Sequence, residues 1–87
     1  MTTKQAKQYG REIASDILRY GDFSEEEKQD QDRFSEAFQE IVDNRIQYSD
    51  FSFFASEINK SKNSDLLWDY YQSGVDEAFS KFIDEAF

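Results

Sequence analysis

The chain contains no cysteine, no histidine and no proline, and only three glycines among 87 residues. Without cysteine, no disulfide or thiolate-held metal can staple the fold; without histidine, the commonest general base and the usual zinc ligand are gone. Most familiar hydrolase and metalloenzyme designs are excluded on this count, no Gly-rich phosphate loop is present, and the expectation is a non-enzyme with no cofactor and no metal. No stretch approaches 18 apolar residues, and no apolar run follows Lys4 and Lys7. The reading is therefore a chain with neither signal peptide nor membrane span, at home in the cytoplasm. A single domain over residues 1–87 is short enough to bury only roughly 60 to 65 % of the surface its unfolded form exposes. The material for its core is fifteen Phe, Tyr and Trp, which together with the lack of proline argue against disorder.

Acid is what the chain has in excess. Nineteen Asp and Glu stand against ten Lys and Arg, a net charge of −9. The charge is concentrated: Asp22 to Glu57 holds eleven carboxylates against Lys28, Arg33 and Arg45, which leaves 11 − 3 = 8 negative charges on one segment. Six of the nine phenylalanines lie in the same stretch. Such a surface repels nucleic acid and membranes and attracts the basic grooves that bind them, so the expected partner is a protein.

Apolar residues recur at three and four residues for most of the length, which predicts an all-α fold of about four helices with an aromatic core and an acidic face. Ala6, Tyr9, Ile13, Ile17 and Tyr20 form one stripe ending at Gly21, on a mildly basic first helix. Ser24 with Glu27 three residues on makes a capping box, and Glu25 and Glu26 suit the positive end of a new helix. One helix from Glu25 to Gln47 is preferred, with an early interruption near Gln29 as the alternative; its core face is Phe34, Ala37, Phe38, Ile41, Val42 and Ile46. Ser49 and Asp50 offer a further N-cap before Phe51, Phe54, Ala55 and Ile58, and residues 59–63 form a polar loop. Asn63 or Ser64 then opens a last helix carrying Leu67, Tyr71, Val75, Ala78, Phe79, Phe82, Ile83 and Ala86 inward, with Gly74 as a close-packing site or a kink.

Asp30 and Asp32 resemble the start of a calcium loop, but Ser35 stands where its glycine is needed, so the match fails. Phe51, Phe54, Trp68 and Tyr71 fit core positions, whereas Phe53 and Tyr70 lie off the stripes and suit an exposed contact or a dimer seam. The carboxylates have a geometry of their own. Asp32, Glu36 and Glu40 stand four residues apart with Asp43 one turn on, a column with charges about 6 Å apart on a helix. Asp65, Asp69, Asp76 and Asp84 could supply a second column. Like charges at this spacing cost roughly 0.2 to 0.5 kcal/mol a pair, so helix stability alone does not explain them; a solvated face kept for solubility is the plainer account.

The run Ile17-Leu-Arg-Tyr20, then Phe34 to Val42, Asp43-Asn44, Tyr48 and Asp50-Phe-Ser-Phe-Phe-Ala-Ser-Glu57, resembles the central part of the Ocr-type phage antirestriction family over roughly residues 17–59. This chain is shorter and less acidic and has a basic first helix. The resemblance implies an acidic, helical, dimeric mimic of bent B-form DNA that occupies the DNA groove of type I restriction and modification enzymes; other small acidic phage proteins block CRISPR effectors in a similar way. It implies phosphate surrogates at Asp22, Asp32, Glu36, Asp43, Asp50 and Glu57, and core or dimer packing for Phe51, Phe53, Phe54 and Ala55. Glu25, Glu26, Glu40, Asp65, Asp69 and Asp76 join the surrogate set by position. A helical adaptor that grips a host protein through an aromatic patch around Phe53, Tyr70 and Phe87 is the competing expectation.

Overall fold

The computed structural model describes residues 1–48 and 52–87, the side chains of 46–48 excepted. Among them the chain is all-α: α1 Thr3–Tyr20, α2 Glu25–Gln29, α3 Gln31–Tyr48, α4 Ser52–Lys60 and α5 Ser64–Ala86. The expected cap at Ser49 and Asp50, and Phe51, lie outside the described residues. α1 opens on a capping box in which the Thr2 hydroxyl accepts from the Gln5 N–H while the Thr2 N–H donates to Gln5 Oε1. Ala6, Ile13, Ala14 and Ile17 are its buried face. Tyr9 sits at the edge, its ring stacked on Phe54 at 4.7 Å. Tyr20, expected on the buried stripe, is instead 72 % exposed at the last residue of α1.

The expected single helix from Glu25 to Gln47 is two. Asp30 leaves the helical region (φ −122°, ψ 112°), and its Oδ1 accepts from the backbone N–H groups of Asp32 at 3.0 Å and Arg33 at 3.4 Å. Its carboxylate thus satisfies N–H groups that open α3, so the short acidic helix α2, with no buried residue, can bend away. The Ser24–Glu27 box does form. This break raises the helix count from four to five.

α1 and α5 run parallel and touch backbone to backbone. A β-carbon built on Gly10 would overlap the Tyr71 carbonyl oxygen, and one on Gly74 the Lys7 carbonyl oxygen. Each glycine therefore turns a Cα–H toward the facing carbonyl, the weak contact that recurs at close helix crossings. Gly74 is a close-packing site; α5 continues through it to Ala86. Above this crossing Glu77 receives Lys7 Nζ at 3.2 Å and Arg11 Nη2 at 3.0 Å, and the Lys7 hydrogen bond, with both cations' charge, holds its carboxyl below the usual value.

α3 lies antiparallel to α5, since Gln39 meets Gln72 while Phe34, nearer the start of α3, meets Phe82 and Phe87 near the end of α5. Phe34 also meets Phe23 at 4.5 Å, and Phe38 meets Phe79 at 4.5 Å, closing one end of the bundle with rings. α4 seals the other end through Phe54, Ala55 and Ile58. Arg45 Nη1 ties α3 to Asp16 of α1 at 2.6 Å. The molecule measures 41 × 24 × 17 Å.

Tyr71 is 2 % exposed, and its hydroxyl has no hydrogen-bond partner among the described residues. Burial, then the nearby Asp43 charge, pushes its pKa well above the ordinary 10.0. The folded state therefore holds this proton where the unfolded chain releases it, so stability is full below pH ~10 and falls as pH rises beyond it. Tyr71→Phe should leave urea stability at pH 7 unchanged or raise it by about 1 kcal/mol, and should flatten the loss above pH ~10. A loss exceeding about 1 kcal/mol at pH 7 would show the hydroxyl to be bonded.

Candidate functional site

Asp32, Glu36, Glu40 and Asp43 are all exposed on α3, within about 80° of arc and opposite Phe34, Phe38 and Val42. Asp65, Asp69 and Asp76 are likewise exposed on α5, within about 40° and opposite Leu67, Tyr71 and Val75. Asp84 falls out of this second column, because eight residues carry it about 80° round from Asp76.

Two glutamines join the columns. Gln72 Nε2 donates to Asp76 Oδ1 at 2.9 Å and to Gln39 Oε1 at 3.3 Å, and Gln39 Nε2 donates to Asp43 Oδ1 at 3.0 Å. This ladder crosses from α5 to α3 and carries a carboxylate at each end. In both helices the columns lie on the solvent side of the ladder, away from the core. On ideal antiparallel helices registered at the Gln39–Gln72 bond, seven carboxylates at these positions would span about 21 Å along the axis, roughly one every 3 to 4 Å in projection, where duplex DNA presents one charge per ~1.7 Å. None of the seven is ion-paired to Lys or Arg among the described residues.

The remaining surrogate candidates are placed differently. Glu25 pairs with Lys28 at 3.7 Å and Glu26 with Arg33 at 3.3 Å, so both are partly neutralised within the chain. Glu26 and Glu27 of α2 nevertheless face Glu36 and Glu40 of α3 across a shallow groove of ≈ 490 Å³, with Arg33 as its one cation. Asp22 is exposed in the α1–α2 loop and Glu57 on α4, and no described hydrogen bond or ion pair links either to the columns. Asp50 lies outside the described residues.

The aromatic candidates are spread out. Phe53 is 71 % exposed, Phe87 52 % and Tyr70 41 %, while Phe54 and Tyr71 are buried. Trp68 is half-buried and donates its indole N–H to Asn59 Oδ1 at 2.8 Å. Tyr70 and Phe87 are separated by about 25 Å along α5, so the three exposed rings do not form one continuous patch. The Gln39–Gln72 ladder was invisible in the sequence, where neutral glutamines on polar faces carry no pairing signal.

Among the described residues there is no cluster of Asp and Glu suited to holding a metal ion, and no helix is long and apolar enough to cross a membrane. Compared with known protein families, curated proteins and solved structures, the chain matches none.

Proposed function

We propose that this chain is a folded DNA mimic that inhibits a DNA-binding protein by occupying its basic groove, with no catalysis of its own. The observation that carries this reading is the two columns of exposed carboxylates, seven in all, on α3 and α5, joined by the Gln39–Gln72 ladder and outside every described ion pair although the chain holds ten cations. A face kept only for solubility would gain from alternating signs along each helix, because like charges four residues apart are mutually destabilising. Carboxylates fixed on packed helices also avoid much of the ordering cost that a flexible acidic tail meets on binding.

A type I restriction–modification enzyme is the favoured target and a CRISPR effector the second, which suits a phage-encoded product acting in the host cytoplasm. The test is displacement of a labelled DNA duplex from either purified complex by this chain. Failure to displace DNA from both would overturn the assignment. The adaptor reading has less support, because Phe87 lies about 25 Å along α5 from Tyr70 and cannot share one patch with it.

Arg33 supplies a graded check. It is the cation inside the α2–α3 groove and holds Glu26 and Asp30, so it competes there with any basic residue of a target. Arg33→Ala should tighten competition with DNA by about 3- to 10-fold, since exposed pairs of this kind are worth under ~1 kcal/mol to the fold. Weaker competition would contradict a role for this groove.

A further inference from the structure

We propose that a second surface, the groove between the C-terminal halves of α1 and α5, docks an acidic amphipathic helix of a partner protein. The groove encloses ≈ 380 Å³ over a floor of Leu18, Ala78 and Phe82, flanked by Arg19 from α1 and Lys81 from α5, with Glu85 at one end. Its floor is half-buried apolar surface that the bundle leaves uncovered. The charge on its rim is the reverse of the molecule's. Arg19 and Lys81 are in no ion pair among the described residues, as is also true of Lys4, Lys60 and Lys62, but of these five only Arg19 and Lys81 line this apolar groove, where they outnumber its single carboxylate, Glu85. Arg19 instead lies 6.0 Å from the exposed Tyr20 ring.

This surface is separate from the acidic face. Around α5, Lys81 lies about 180° from Gln72, which meets α3, and about 140° from Asp76. Leu18 and Phe82 belong to two side-by-side parallel helices, so the floor is the furrow into which a third helix packs, with anchors one turn apart. From Ala78 to Glu85 the furrow runs about 10 Å, or two helical turns. A helix seated there would bury one or two apolar side chains on Leu18, Ala78 and Phe82 and set flanking carboxylates against Arg19 and Lys81. At physiological salt the column charges on the far side are screened beyond ~8 Å, so the local cations decide the sign of the interaction.

A fluorescein-labelled helix-forming peptide, with leucine at positions i, i+3, i+4 and i+7 and glutamate flanking them, is the probe, and fluorescence anisotropy the readout. The peptide should bind the full chain, and the double substitution Arg19→Glu with Lys81→Glu should weaken binding at least tenfold. Glu36→Gln with Glu40→Gln should leave it unchanged, which separates this surface from the DNA-mimicking one. Both altered groove positions are exposed, and circular dichroism checks that the helices persist. No binding by the unaltered chain, or equal binding by the Arg19→Glu/Lys81→Glu variant, would overturn the assignment. So would sedimentation showing a dimer of this chain that the same variant dissolves, because the occupant would then be a second copy.

Discussion

Reversing two charges on α3, Glu36→Lys together with Glu40→Lys, is expected to weaken competition with DNA at least 100-fold while the helical content stays unchanged. Both side chains are exposed, neither forms a described ion pair, and they stand at the centre of the α3 column. In a basic groove each reversal replaces an attraction with a repulsion, and close charge pairs across interfaces couple by about 1.5 kcal/mol or more. Two such sites account for the loss, since each tenfold is about 1.4 kcal/mol. The fold responds with the opposite sign. Glu40→Lys alone turns the like-charge neighbours Glu36 and Asp43 into opposite-charge neighbours, which should raise stability by about 1 kcal/mol. Binding lost where stability is gained is the signature of a surface kept for a partner. Competition by anisotropy and urea unfolding of the same variants measure both; competition unchanged by the double reversal would remove the columns from the interface.

The second large effect lies at the α1–α5 crossing. Gly74→Ala, and separately Gly10→Ala, should each cost about 2 to 3 kcal/mol in urea unfolding. On intrinsic preference alone, alanine in a helix interior would gain up to about 1 kcal/mol over glycine. Here the new methyl meets a carbonyl oxygen of the facing backbone, which cannot rotate aside as a side chain can. The helices must separate, loosening Ile13, Ile17, Tyr71 and Val75 together, and overpacking of this kind costs about 1 to 3 kcal/mol or more. For a domain with some 5 to 10 kcal/mol in hand, that is a large fraction. One separation relieves both overlaps, so the double variant should cost less than the sum of the two. Stabilisation by either single change would mean that α1 and α5 do not touch there.

Helical periodicity made the inner faces legible: Ala6, Ile13 and Ile17, then Phe34, Phe38 and Val42, then Leu67, Tyr71 and Val75 are all buried. The Ser24 cap was legible for the same reason, because it is a local bond spanning three residues. Features made by contacts distant in sequence were not. Gly10 and Ala14 gave no hydrophobic signal, yet they let α1 lie against α5, and only the facing backbone shows why a side chain is excluded there. The interruption near Gln29 was legible only as an alternative, because the capping role of Asp30 depends on a turn that helical spacing does not reveal. Among the candidate site residues, the α3 column and three of the four α5 positions followed from spacing. Glu25 and Glu26 were drawn into ion pairs, the latter across the Asp30 break, and Asp84 was carried off the column by helical drift.

The most direct test of a DNA-mimicking face is the salt dependence of affinity for the target that it displaces from DNA. A basic groove releases bound anions on meeting the carboxylate columns, so log affinity should fall linearly with log salt from 50 to 300 mM. The slope should be shallower than that of DNA on the same target, because the columns carry roughly half the linear charge density of a duplex. Glu36→Lys with Glu40→Lys should flatten it further. An affinity indifferent to salt across this range would contradict the account.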